Sequence, residues 1–362
     1  MLIRILTKIG ILENLDFLFE KISDHYGIFA TYKIRVLFET KRDFFQEAGN
    51  LKANPYVRRF NSPELFNKIQ TTKIAQEKIG LVLQGPIFKK NDFTLNTASY
   101  YLQNFEQIFL VISTWESEDI SIFDGLQAEF TKRLKIIQNE EPEYSGIFNL
   151  NRQIISSAAG IKSLKESGIE ISVKSRTDQR ITNPLAFENL FTLYDIFNGQ
   201  NEDGKKKIIV SSFNTFKFRL YGLSDMFQFG RTDDLMKFWS CPIDLRTVEE
   251  INRIKSYNLI QESSKRHPEV YLVSEYLKSN KEETFFELNA SRKLVREYFA
   301  IIDDSYLGTI WPKYTYFENR WENNSYPDQF NEMKMLDFIS PEHESNFLDI
   351  ENSFIRKDWN LN

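Results

Sequence analysis

The chain has 362 residues, 41% hydrophobic, 27% charged and 15% aromatic, with only 14 Gly and 10 Pro; this excludes a disordered or collagenous chain and predicts one large domain or two modest ones with a sizeable core. A single cysteine, Cys241, excludes a disulfide framework and any multi-thiolate metal centre, and three scattered histidines leave only hard, oxygen-ligated cations as candidate metals. The net charge of −5 argues against a dedicated nucleic-acid binder.

Residues 1–45 predict a helix, because Leu2, Ile5, Leu6, Ile9 and Leu12 recur at three- and four-residue steps and Leu15, Leu18, Phe19 and Ile22 continue the stripe. Such a helix packs on the main domain or rests on an anionic membrane surface; Glu13, Asp16, Glu20 and Asp24 speak against the second use. No apolar run approaches the ~18 residues that span a bilayer, and no signal-cleavage pattern follows. A cytoplasmic protein is expected. Residues 46–76 are polar and turn-rich, with Asn54-Pro55 and Ser62-Pro63.

An apolar strand is predicted at 79–83, closed by Gln84-Gly85-Pro86-Ile87, then a helix over 94–105 and a second buried strand over 107–113. A short strand follows at 134–138, a helix at 151–167 and a strand at 169–174 that runs into Ser175-Arg176-Thr177-Asp178-Gln179-Arg180. Further on come a helix near 184–198, a strand at 208–212, a strand at 226–230, a helix at 232–239 and a long helical stretch over 248–279, broken near Pro268. Strand–helix alternation with buried strands predicts an α/β fold on a mostly parallel sheet flanked by helices. The organisation expected is a helical extension (1–75), an α/β core (76–280) and an aromatic-rich C-terminal region (281–362) packed on that core.

In a parallel sheet the ligand sits off the carboxyl ends of the strands, so the strand exits are where chemistry is sought. At 174–180 strand alternation sends Lys174, Arg176 and Asp178 to one face. Two cations there can clamp phosphate oxygens, and a carboxylate can hold a cation that bridges a diphosphate. The alternative is an internal ion pair, which places charge against a buried strand at considerable cost. Asn149, Asn151, Arg152 and Gln153 gather at a helix start, which suits an anion or plain capping by Asn149 or Asn151. No G-x-G-x-x-G, P-loop or G-x-S-x-G pattern is present.

These pieces together resemble the WavE family of lipopolysaccharide-synthesis proteins. The resemblance covers about 79–280 and rests on Leu81–Ile87, on Thr94, Thr97 and Tyr100, on Ile112–Trp115, on Asn149-x-Asn151-Arg152-Gln153 with Ser156 and Gly160, on Lys174-x-Arg176-Thr177-Asp178-x-Arg180-Ile181, and on Ser224-Asp225-x-Phe227-x-Phe229-Gly230 with Trp239. It implies a Rossmann-like, GT-A-like glycosyltransferase that moves sugar from a nucleotide-sugar donor to a lipid-linked or oligosaccharide acceptor of lipopolysaccharide core, O-antigen or capsule. Peripheral contact with the inner face of the cytoplasmic membrane goes with that role; no nucleic acid does. The donor is expected to meet Gln84, Gly85, Pro86, Thr94, Trp115, Asn151, Arg152, Lys174, Arg176, Asp178 and Arg180. In such folds a D-x-D triplet grips a metal-bound diphosphate. Here the triplet is Arg176-Thr177-Asp178, so either Asp178 holds a Mg²⁺ or Mn²⁺ ion or Lys174 and Arg176 neutralise the diphosphate unaided.

An inverting transfer also needs a base for the acceptor hydroxyl. Asp225, ahead of the strand at 226–230, is one candidate. Glu269 is the other; its segment His267-Pro268-Glu269-Val270-Tyr271-Leu272 is similar to the family's Pro-Glu-x-Tyr-Leu run. First-turn or capping acids are the plainer account of both. The pair Asp303-Asp304 reads as solvated. A non-catalytic sugar- or nucleotide-binding component is the competing function.

Overall fold

A computed structural model describes residues 78–199, 206–256 and 259–312. The chain divides into units Met1–Thr72 and Lys73–Asn362, and all the described residues belong to the second. The predicted helix at 1–45, and with it the membrane or packing role of that segment, lies outside them.

The first strand, β1 (Ile79–Gln84), is buried at every position, as a strand covered on both faces must be. It ends at Gly85, whose φ of +116° only glycine adopts freely, followed by Pro86. Its neighbours are β2 (Ile108–Trp115) and β4 (Ile171–Arg176), both parallel to it, and β3 (Leu134–Asn139) extends the sheet beyond β2. On the other side the order continues β4, β7 (Gln228–Arg231), β6 (Ile208–Ser211) and β8 (Phe299–Ile302). Only β7 runs against the rest. A short pair, β5 (Arg180–Ile181) with β9 (Thr309–Ile310), stands apart from the main sheet.

Helices cover both faces. On one lie α3 (Leu150–Glu166) and α5 (Thr232–Trp239), which pack on each other. A Cβ on Gly160 of α3 would stand 2.4 Å from a methyl of Val82, and one on Gly80 of β1 would stand 2.5 Å from Leu164. The absent side chains are what let helix and sheet approach. On the other face α4 (Ala186–Asn198) sets Phe191 and Tyr194 edge-on to Phe229 of β7, and Phe105, just past α1 (Phe93–Asn104), meets Phe187 edge-on. A short helix α2 (Asp124–Glu129) joins β2 to β3.

The long helical stretch expected over 248–279 is three helices: α6 (Val248–Arg253), α7 (Leu259–Lys265) and α8 (Pro268–Ser279). A capping box of Thr247 with Glu250 starts α6, and Pro268 opens α8 at the position where a missing N–H costs nothing. Past residue 280 the chain adds α9 (Leu288–Tyr298) and then β8, the edge strand of the same sheet. No helix among the described residues is long and apolar enough to cross a membrane.

Candidate active site

The strand order reverses direction at β1, with β2 and β3 to one side and β4 to the other. The carboxyl ends of β1 and β4 therefore flank the switch-point crevice where open α/β sheets bind ligands. Register sets Gln84 beside both Ser113 and Arg176. The main-chain N–H of Thr177 donates to the Gln84 carbonyl (3.1 Å), and its hydroxyl donates to the Pro86 carbonyl (2.6 Å). Thr94, fully buried, donates to the Thr177 carbonyl (2.9 Å) and accepts from the Phe88 N–H (2.8 Å). The Gln84 side-chain carbonyl accepts from Ser156 of α3 (2.8 Å). Gln84, Gly85, Pro86 and Thr94 thus brace the two strand exits against each other.

β4 reaches Arg176, two residues further than its apolar run suggested, because it stays paired with β1 as far as Gln84. Arg176 holds Asp178 in a two-pronged bond, Nε to Oδ1 at 2.8 Å and Nη2 to Oδ2 at 3.1 Å. Its guanidinium also lies over the ring of Trp311 at 5.6 Å. Lys174 has no exposed surface. Its ammonium donates to the main-chain carbonyl of Asp225 and sits over the Trp239 ring at 4.6 Å. Burial, with Arg176 adding to it, pushes its pKa down to about 7, against the pull of Asp225 and Asp178. Lys174 therefore shares a face with Arg176 as expected but stands behind the crevice, under the turn that carries Asp225.

Asp225 itself is 6% exposed. Burial raises its pKa; Lys174 opposes that, and Glu269 adds to it. No helix follows Asp225, so capping does not account for it. Glu269 lies in the first turn of α8. Its Oε1 accepts from Asn214 Nδ2 (2.9 Å) and pairs with Arg219 Nη1 (3.6 Å), while Oε2 is buried and has no hydrogen-bond partner among the described residues. Arg219, only 8% exposed, lies over the Phe216 ring at 4.4 Å. Asn214 adopts the left-handed backbone conformation, with φ +66°. Asn214 and Arg219 were not among the expected site residues. They sit in an irregular stretch between β6 and β7, and only the fold carries it beneath α8.

The remaining expected residues lie elsewhere on the same sheet edge. Arg180 donates to the Thr97 hydroxyl (3.0 Å) and lies against the Phe93 ring at 4.9 Å. Arg152 stacks on Trp115 at 4.7 Å and pairs with Glu141 at 2.5 Å, while the Trp115 indole N–H has no partner among the described residues. Asn151 is fully buried and commits its amide to main chain, accepting from the Asp244 N–H (2.6 Å) and donating to the Asp244 and Tyr144 carbonyls. Plain capping of α3 does not occur: Asn149, with φ +62°, makes no side-chain cap bond. Asp303 and Asp304 are half-buried at the exit of β8, where the Asp304 carboxylate accepts from the Thr309 N–H (3.3 Å), so they are not the solvated pair expected.

A divalent cation on Asp178 would have to share its carboxylate with Arg176. Both oxygens of that carboxylate are taken by Arg176, and among the described residues no three His, Cys, Asp or Glu side chains come together.

The fold defines an α/β protein with a charged crevice at the switch point of a mostly parallel sheet. Residues 79–287 match the family model for WavE lipopolysaccharide synthesis, and the chain belongs to that family. No curated protein matches it. Among solved structures it is similar to one assigned as a glucose-1-phosphate thymidylyltransferase from Bacillus anthracis, in complex with sucrose (10% identity, 48% of this chain and 77% of that one, TM-score 0.28). It is also similar to a cytidylyltransferase from Leptospira borgpetersenii serovar Hardjo-bovis strain JB197 (15% identity, 59% and 100%, TM-score 0.25).

Proposed function

We propose that this chain is a nucleotide-sugar-dependent glycosyltransferase of lipopolysaccharide or related surface-polysaccharide synthesis, with a GT-A-like use of its sheet. The observation that carries the reading is the meeting of Asp225, Glu269 and Arg219 with the Arg176–Asp178 pair beside the switch point. The donor diphosphate would lie against Arg176, whose planar guanidinium suits phosphate oxygens. Neutralisation then falls to protein cations and not to a protein-held metal.

In the transfer, the acceptor hydroxyl attacks the anomeric carbon while the carbon–oxygen bond to the diphosphate breaks, and the electron pair leaves with the nucleoside diphosphate. Glu269 takes the hydroxyl proton on Oε2. Asn214 and Arg219 hold the other oxygen, which fixes the direction Oε2 faces. Asp225, whose pKa burial raises, is the second candidate base.

The test is the slow release of nucleoside diphosphate from candidate sugar donors, with and without acceptor. Glu269→Gln should lower transfer by roughly 10²–10⁴-fold, the range of a positioned base, and leave donor affinity unchanged. Donor binding by calorimetry without any release or transfer would favour the non-catalytic binding component instead.

A further inference from the structure

A second concavity opens on the same sheet edge, next to the start of α3. It encloses about 700 Å³ and lies between the Tyr144–Phe148 turn and helices α6 and α7. Its size falls within the ~300–1,000 Å³ usual for small-molecule sites. Two observations limit what it can take.

The first is charge. Among the described residues that line it, the acidic and basic side chains are Glu262, Arg266 and His267. Arg266 donates to Glu262 at 2.7 Å and Lys255 pairs with the same carboxylate oxygen at 3.4 Å, so these charges are engaged with one another. Burial and the nearby Arg219 push His267 down to about 3, which leaves it uncharged at physiological pH. Arg266 Nη2 donates to the Ile254 carbonyl as well (2.7 Å), so this nitrogen is committed within the protein.

The second is the apolar wall. Phe148 is 70% exposed and Val248 55% exposed, with Tyr144 37% exposed beside them. Phe148 has φ +52°, a conformation that costs a bulky residue energy and that here turns the ring outward. The turn is not loose: the Tyr144 hydroxyl donates to the Arg246 carbonyl (2.9 Å), and Asn151 ties the same two segments together. A rigid, outward aromatic face with hydrogen-bonding groups behind it matches a ligand with C–H faces and hydroxyl rims, which is a sugar ring.

The cleft is tied to the chemistry through His267. Its wall residue His267 directly precedes Pro268-Glu269, and Arg219, which bears on His267, pairs with Glu269. We infer that this cleft is the acceptor subsite and that its occupant is the oligosaccharide end of the acceptor, stacked on Phe148. The inference rests on the transferase reading for the word acceptor, but the binding of a glycan does not.

The test is saturation-transfer NMR and titration of the full chain with the dephosphorylated oligosaccharides that mild acid releases from the source cells' own surface polysaccharide. Saturation should reach sugar ring protons. Phe148→Ala should weaken binding about tenfold, and Phe148→Trp should retain it. Because Phe148 is largely exposed, its loss leaves the core packing in place; an unchanged melting temperature checks that. Absent saturation transfer, or binding unaltered in Phe148→Ala, overturns the assignment. Displacement of the oligosaccharide by farnesyl phosphate would overturn it too, giving the cleft to a lipid tail. Release of nucleoside diphosphate from sugar donors by the unaltered chain is measured alongside. Its absence with glycan binding intact removes the transferase reading and leaves the glycan site standing.

Discussion

Lys174 donates to the main-chain carbonyl of Asp225, 51 residues further along, and its ammonium lies over the Trp239 ring. The bond goes to the backbone of the turn, so Lys174 sets where Asp225 stands as well as its charge. Removing one member of a buried charged pair leaves its partner uncompensated and is destabilising. Lys174→Met should therefore lower the melting temperature and, in its folded form, transfer sugar at least tenfold more slowly. With the ammonium gone, the Asp225 carboxyl loses the one nearby charge that most lowers its pKa, so any acid limb owed to Asp225 in the rate profile should move to higher pH. A variant that keeps full activity and an unmoved profile would make Lys174 a core residue only.

Arg176 and Asp178 form a unit. Their two-pronged bond at 2.8 and 3.1 Å fixes the plane of the guanidinium. Asp178→Ala should cost more in activity than in stability, because it frees the plane of a cation aimed at phosphate. The double variant with Arg176→Ala should be little worse than either single one, with a coupling of roughly 0.5–3 kcal/mol in kcat/KM. If Asp178→Ala melts much earlier but retains its specific activity, the pair is structural.

The sheet was largely legible in the sequence, because parallel strands buried on both faces leave continuous apolar runs such as Ile79–Leu83 and Ile108–Ile112. Strand ends were less so. Arg176 belongs to β4 because β1 pairs with it, and a charged residue carries no propensity signal for that. α9 and β8 escaped because Ser291 and Arg292 interrupt the apolar stripe of α9, and the apolar run of β8, Phe299–Ile302, is only four residues long. At the site, Asp225 and Glu269 could be named from motif, but Asn214 and Arg219 could not. Their role depends on a turn between β6 and β7 passing under α8, a contact across 55 residues for Asn214 and Glu269.

Cation dependence separates two ways of neutralising a diphosphate. With both Asp178 oxygens taken by Arg176 and no cluster of three acidic, His or Cys side chains among the described residues, chelation of the purified chain should leave donor hydrolysis within about twofold of its starting rate. A loss restored by Mn²⁺ would mean that Arg176 gives up Asp178 when donor binds.

Gly160 allows α3 to approach β1. The Cβ of Gly160→Ala would lie 2.4 Å from Val82 Cγ1 and 3.3 Å from the Ser113 Cβ, both buried in the sheet. Overpacking of this kind costs about 1–3 kcal/mol. A fall in denaturation midpoint without change in slope should report it. The same substitution should disturb activity, since α3 also carries Ser156 onto Gln84 at the exit of β1. Gly125, with nothing near its Cβ position, is the control, and Gly125→Ala should be close to neutral.

His267 makes stability depend on acidity in a direction that can be worked out. Its pKa is held at about 3 in the fold by burial, with Arg219 adding to the effect, against about 6.5 in an unfolded chain. Between those values the unfolded state binds the extra proton, so stability is fully present above about pH 6.5 and is lost as pH falls toward 3. Carboxylates titrate in the lower part of the same window, so the wild-type curve alone does not isolate the histidine. His267→Gln removes the titrating group and leaves a neutral polar side chain of similar reach. The melting temperature of wild type minus that of His267→Gln should therefore be constant from pH 8 to 7 and fall steadily between pH 6.5 and 4.5. A flat difference across that range would mean that His267 takes up its proton in the fold as easily as in the unfolded chain, and that the inner wall of the cleft is wet and charged in mild acid.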